Sequence, residues 1–200
     1  MNSHLVFDPN YVSWDQVNFN DSDWKEFYGD VKEPIPPNAP PPRGHPVQIN
    51  AFVDADHAGN KITRRSHTGI LIYLNCSPTI WYSKAQSTVE ASTFGSEFIA
   101  MRILVEMLEA LRYKLRMMGI PIDGPANTFC DNKSVVMNST IPTSTLKKKH
   151  NSIAYHRVRE VVAVGILRIT KVHTSENLAD LLTKPLSGAN LKPLIQKILW

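Results

Sequence analysis

The sequence predicts an α/β fold: a five-stranded mixed sheet, built from a three-strand antiparallel meander plus two further strands, flanked by helices. Three observations lead there. Three short runs rich in β-branched and aromatic residues follow one another across residues 47–85 with only turn residues between them. A long stretch after them repeats apolar residues at helical spacing. Two more apolar runs then alternate with helical segments, the order that stacks helices on a sheet.

Taken in order, "VQINAFVDA", "TGILIYLN" and "PTIWYSKA" are the three meander strands, joined by turns containing Gly, Asn or Pro. In "STFGSEFIAMRILVEMLEALRYKLRMMG", Phe94, Phe98, Met101, Val105, Leu108 and Leu115 recur on one helical face up to Gly119, a natural terminator. "ANTFCD" is a fourth strand, "NKSVVMNS" a short helix and "HNSIAYHRVREVVAVG" a longer one. "ILRITKVH" is the fifth strand, after which Ser175 is placed to cap a helix through "ENLADLLTK".

Composition divides the 200 residues unevenly. Residues 1–46 hold seven acids and three bases, net −4, whereas the rest carries 19 bases and 11 acids, net +8. The larger part is therefore a candidate binder of polyanions. Half of the 14 prolines fall in "PIPPNAPPPRGHP", which can form neither a helix nor a central strand and predicts an extended linker. The aromatics before it (Phe7, Tyr11, Trp14, Phe19, Trp24, Phe27, Tyr28) suggest a segment that packs on a neighbouring domain. The expected organisation is an acidic, Pro-rich connection at 1–46, an α/β domain at 47–186 and a helical tail at 187–200. Cys76 and Cys130 form neither a CxxC pair nor a disulfide framework, which argues for a reduced compartment. The first residues lack a basic start followed by an apolar core, and no stretch reaches membrane-spanning length. A soluble, intracellular protein with no membrane partner is expected.

Four acids stand out on this map. Asp54 ends the first strand, Glu97 lies in the first turns of the long helix, Asp131 ends the fourth strand, and Asp180 sits after the fifth. Carboxylates crowded at one sheet edge repel one another unless a cation is present. A hard divalent ion such as magnesium suits carboxylates, waters and phosphate oxygens, and two such ions form the usual apparatus for phosphodiester hydrolysis. A basic domain with this set suggests a nuclease.

The same residues carry a family resemblance. "FVDADHAG" with "TRRSHTG", then "IWYSKAQSTVEASTFGSEFIAM", "FCDNKSVV", "LKKKHNSIAYHRVRE" and "ENLADLLTKPL" together resemble the RNase H domain of copia-type retrotransposon polyproteins, over about residues 48–186. The leading segment, "LVFDPNY" through "PPPRGHP", looks like the connection that follows the reverse transcriptase in such polyproteins. The resemblance implies an RNase H-like fold in which Asp54, Glu97, Asp131 and Asp180 hold two Mg²⁺ ions, with Mn²⁺ as a substitute. It implies a ribonuclease H that cuts the RNA strand of RNA/DNA hybrids during reverse transcription and leaves 5'-phosphate and 3'-hydroxyl ends. A reverse transcriptase domain of the parent polyprotein is the implied partner, and the cytoplasm, a virus-like particle or the nucleus the implied location. The order of the acids differs from that of an integrase, a relative in fold whose glutamate comes last.

Each residue has a plainer alternative. Asp56 suits the turn after the first strand as well as Asp54 does. Asp131 could cap the helix that follows it. Asp180 could pair with Lys184 on an exposed face. Glu97 has no basic residue three or four positions away, so its side chain is expected to face the sheet. Nucleic-acid contacts are assigned to Arg64 and Arg65 in the first turn, to Ser83, Lys84 and Gln86 on the third strand, and to Lys147, Lys148, Lys149 and Arg157 around the third helical segment. A solvated charged face is the rival there. His173 is expected to be a polar strand cap, because the connection to Asp180 is shorter than in many RNases H. Further departures from the family are His57, where Trp is frequent, and "TFGSEF" in place of "STEAEY". The rival from another class is a catalytically silent module that binds nucleic acid or braces a polymerase.

Overall fold

The computed structural model describes residues 18–19, 22–146 and 151–198. Alternation of apolar residues builds strands β1 (Ile49–Asp56), β2 (His67–Leu74) and β3 (Ser77–Ala85), an antiparallel meander, followed by β4 (Ala126–Cys130) and β5 (Leu167–Lys171). The sheet order is β3-β2-β1-β4-β5, with β1, β4 and β5 mutually parallel. β1 is thus central, and the strand ends bearing Asp54 and Asp131 lie side by side.

Helices α2 (Thr93–Met117), α3 (Lys133–Thr140) and α4 (Ser152–Ala163) cover one face. The Ser92 side chain caps α2 by accepting from the Gly95 amide, and Gly119, at φ 71°, ends it in the left-handed conformation that glycine tolerates. Beneath lies the main core, with Val53, Ile70, Phe98, Leu104, Leu108, Val158 and Ile169 all essentially inaccessible. The opposite face carries a smaller cluster of Phe52, Leu71, Tyr73, Phe129 and Leu178, joined by Leu194 of helix α5 (Gly188–Ile195). Period-two alternation sets this division. Val53 and Ala55 face α2, so Phe52 and Asp54 face the other way.

One expectation is corrected. The helix predicted through residues 176–184 is instead a pair of 3₁₀ turns, Thr174–Glu176 and Leu178–Leu182, capped by His173 and Asn177 rather than Ser175. Asn177 is the cause: its Nδ2 donates to the Val53 carbonyl at 3.0 Å while its Oδ1 accepts from the Ala179 amide, pinning the chain to β1, and Pro185 prevents extension. The leading segment, of whose aromatics Phe7, Tyr11 and Trp14 lie outside the described residues, packs on the α/β domain that follows it. A short helix α1 (Lys25–Tyr28) follows Trp24, which is buried with the Arg159 guanidinium 4.8 Å from its ring centroid. Glu33 accepts from Arg112 Nε (2.9 Å) and Nη2 (2.7 Å) and from Arg116 Nη2 (2.6 Å). The proline-rich run then passes along the end of α2, where the Arg43 amide donates to Gly119 O.

Candidate active site

Asp54, Asp131 and Asp180 converge at the neighbouring C-terminal ends of β1 and β4. One carboxylate oxygen from each lies within 4.8 Å of the others, and Glu97, Cys130 and Asp131 form a second group of the same tightness. Asp131 therefore joins two overlapping clusters, and the four acids picked out from sequence meet at one place.

Each is held by local structure. Asp54 is 5% exposed at the end of β1, where Thr183 Oγ1 donates to its Oδ2 at 2.6 Å. Glu97, in the first turns of α2, accepts from Asn132 Nδ2 at 3.1 Å, and the Cys130 thiol points at its other oxygen at 3.7 Å. The helix cap after β4 is Asn132, whose Oδ1 accepts from the Ser134 and Val135 amides, so Asp131 is not spent on capping. Asp180 does pair with Lys184, at 3.1 Å, but the pair is not on an exposed face. Asp180 is 4% exposed, and the same ammonium lies 3.9 Å from Asp54.

Close packing of the Asp180 turn depends on Gly69, directly opposite Asp54 on β2. A Cβ there would sit 2.6 Å from both the Ala179 carbonyl and the Thr183 methyl, so any side chain would push the turn off the sheet. Ser83 fastens the turn from the other side, donating to the Leu182 carbonyl at 2.7 Å and bonding His67 Nε2 at 2.9 Å.

Crowding shows in the protonation equilibria. Burial, then the hydrogen bond from Asn132 working against it, and the charges of Asp131 and Asp54 leave Glu97 raised to about 7. Asp180 is likewise raised to about 7 by burial and the Asp54 carboxylate, against the pull of Lys184. Asp131 is raised by burial and by Asp54. Lys184 loses solvation, but the three aspartates outweigh that and raise its pKa. An all-oxygen carboxylate set that is unfavourable without a cation fits a hard divalent ion.

The remaining predicted residues scatter. Asp56 is the last residue of β1, paired with His67 of β2 and not in the turn itself, and its carboxylate lies where a Gly59 side chain would be. Arg64 and Arg65 are exposed in a loop whose backbone closes on Asn60. Lys84 is exposed on the edge strand, whereas Gln86 is 3% exposed, its Nε2 donating to Thr68 Oγ1 and Ser96 O. Gln86 thus ties β3 to α2. Arg157 is paired with Glu109 of α2 at 2.5 Å, so its charge is largely matched within the protein. Lys147, Lys148 and Lys149 lie outside the described residues. His173 Nδ1 accepts from the Ser175 amide, so the residue caps a 3₁₀ turn. Sequence reasoning missed Thr183, Gly69 and Asn132, although all three stand inside the motifs that drew attention. It also missed a cleft of about 370 Å³ between β3 and the starts of α2 and α4, lined by Lys84, Gln86, Arg102, Asn151 and Ile153.

The architecture defines an RNase H-like α/β fold. Solved structures agree: the N-terminal RNase H domain of Rv2228c from Mycobacterium tuberculosis superimposes with TM-score 0.51 at 15% identity, over 75% of this chain and 97% of that one. LC11-RNase H1, solved in complex with an RNA/DNA hybrid, gives 0.54 at 15% identity over 68% and 94%. RNase H1 from Halobacterium salinarum gives 0.53 at 16% identity over 68% and 94%. The homologues are retrovirus-related Pol polyproteins of transposons, and an RNase H domain of such a polyprotein fits both sequence and fold. The chain is 33% identical over 156 residues to the Pol polyprotein from transposon RE1 of Arabidopsis thaliana, 78% of its own length. It is 32% identical over 136 residues to that from transposon TNT 1-94 of Nicotiana tabacum, 68% of its length. It spans only 11% and 10% of these relatives. No family model matches.

Proposed function

We propose that the protein is a ribonuclease H that uses two divalent ions to cleave the RNA strand of RNA/DNA hybrids in the reverse transcription of a retrotransposon. The observation that carries this reading is the meeting of four carboxylates, through Asp131, at the sheet edge of an RNase H-like fold. Asp54, Asp131 and Asp180 would hold one Mg²⁺, and Glu97 with Asp131 the other, with Mn²⁺ able to replace either. Bound there, such ions acidify a water and offset the charge that builds on a phosphodiester. The chain's own part is to fix the ligands: Thr183 aims Asp54, Asn132 aims Glu97, and Gly69 lets Asp180 approach. The basic groups Lys84, Arg64 and Arg65 would contact phosphates, and choice of the RNA strand would rest on 2'-hydroxyl contacts. A reverse transcriptase in the same polyprotein would supply the hybrid, in the cytoplasm, a virus-like particle or the nucleus. Among the described residues no helix is long and apolar enough to cross a membrane.

The test is a Mg²⁺-dependent cleavage assay on an end-labelled RNA/DNA hybrid with Asp131→Asn as control. The parent is expected to release RNA fragments with 3'-hydroxyl ends, and the variant to lose at least about 10²-fold in rate. Cleavage that survives the substitution removes the site from the reaction. Absence of cleavage by the parent favours a silent binding module.

A further inference from the structure

Lys184 sits where a metal ligand set has no use for a fixed positive charge. Its Nζ lies 3.1 Å from Asp180 Oδ1 and 3.9 Å from Asp54 Oδ2, between two of the three aspartates that form the first cluster. A divalent ion shared by Asp54 and Asp180 would come within a few ångströms of that ammonium, where like charges in a half-buried setting repel strongly. The two cations would compete for the same carboxylate oxygens. The lysine, however, has somewhere to go. Its side chain is 35% exposed and borders a cleft of about 490 Å³ that runs from Asp180 outward between the 3₁₀ turns and α5, lined also by Glu176, Asn190 and Lys197. Its flexible four-carbon stem allows the ammonium to swing without movement of the backbone.

We propose that Lys184 is a tethered counter-cation that holds the carboxylates of Asp54 and Asp180 together in the metal-free protein and is displaced into the neighbouring cleft when a divalent ion binds. This rests on the reading of the carboxylates as a metal site. It makes Lys184 a positioning residue that competes with the ion, the opposite of a residue that helps recruit it. Competition also confers selectivity: an ion must out-compete an ammonium already in contact, which a divalent does through its greater charge and a monovalent does not.

The experiment is isothermal titration of Mn²⁺ into the whole chain without nucleic acid at pH 8, for the parent, Lys184→Met and Lys184→Arg, with thermal unfolding of each in EDTA. Lys184→Met keeps the stem and removes the charge. It is expected to bind Mn²⁺ about tenfold more tightly while melting at a lower temperature in EDTA, because a partly exposed charge-assisted contact is of that order. Lys184→Arg retains the charge and is expected to bind no more tightly than the parent, which separates charge from any general loosening. Equal or weaker binding by Lys184→Met, with the parent still binding, overturns the displacement alone. No binding by any of the three overturns the metal-site reading, and the displacement with it.

Discussion

Replacing Glu97 by Gln should stabilise the metal-free protein while destroying its activity. Glu97 is 7% exposed, and its pKa is raised from 4.5 to about 7, by burial first and then by Asp131 and Asp54 against the hydrogen bond from Asn132. The folded state therefore keeps this proton up to about pH 7, whereas the unfolded chain releases it near 4.5. Between those values the native state binds more protons, so stability falls as pH rises, and the full penalty applies above pH 7. At about 1.4 kcal/mol per unit the penalty is on the order of 3 kcal/mol. Gln keeps the oxygen that accepts from Asn132 but turns an amide toward the Cys130 thiol or Asp131, so a net gain of about 2 kcal/mol at pH 8 is expected. For a chain of this size that raises the melting temperature by roughly 4–8 °C. The assay is thermal unfolding followed by circular dichroism in EDTA at pH 8 and pH 5. The gain should appear at pH 8 and shrink at pH 5, where the parent carboxyl is already protonated. A variant that is destabilised at pH 8, or stabilised equally at both, refutes the account of Glu97 as a buried carboxylate strained by its neighbours.

Two further outcomes follow from other parts of the molecule. Glu33→Ala should cost about 3 kcal/mol in urea unfolding, since it strands Arg112, whose side chain is 4% exposed and, among the described residues, would keep the Gly124 carbonyl alone. Adding Arg112→Met should recover part of that loss, and a single variant within about 0.5 kcal/mol of the parent would show that the leading segment is not docked on α2. Affinity for an RNA/DNA hybrid, measured in EDTA by fluorescence anisotropy, should fall steeply with salt, and Arg64→Ala with Arg65→Ala should reduce the slope of log affinity on log salt by about 2. An unchanged slope would remove that loop from the nucleic-acid surface.

The meander and the long helix were legible because their signals are local. Alternation in "FVDAD" fixes which side Asp54 faces, and Ser92 and Gly119 bracket α2 within its own sequence. The acids were legible for another reason: Asp54 and Asp131 stand at the ends of neighbouring strands and Glu97 at a helix start, which this order of elements brings together, and Asp180 follows in the turn after β5. What escaped depends on remote partners. "LADLL" has helical spacing, but the bond from Asn177 to Val53, 124 residues away in sequence, ties its start to β1 and Pro185 stops it beyond, leaving a short 3₁₀ turn. Arg157 resembles a nucleic-acid contact until Glu109, 48 residues earlier, is found to hold it. Gln86 looked like a groove residue, but burial turned its amide inward to Ser96. The acidic, proline-rich lead promised no secondary structure and gave no hint that Trp24 would find Arg159 or that Glu33 would find Arg112.

The hydroxyl of Thr183 reaches Asp54 across 129 residues of chain. On a ribosome, where elongation proceeds at about 5–20 residues per second, that separation is a delay on the order of 10 s between the emergence of the first aspartate and of the turn that steadies it. Throughout that interval Asp54 lacks its hydroxyl donor, and Asp180 and the ammonium beside it do not yet exist. The completed carboxylate set thus forms only after all five strands have been synthesised. A translation product interrupted between Asp131 and that turn carries β1 to β4 and three of the four acids but lacks Asp180, Thr183 and Lys184, so the cluster of three aspartates cannot form.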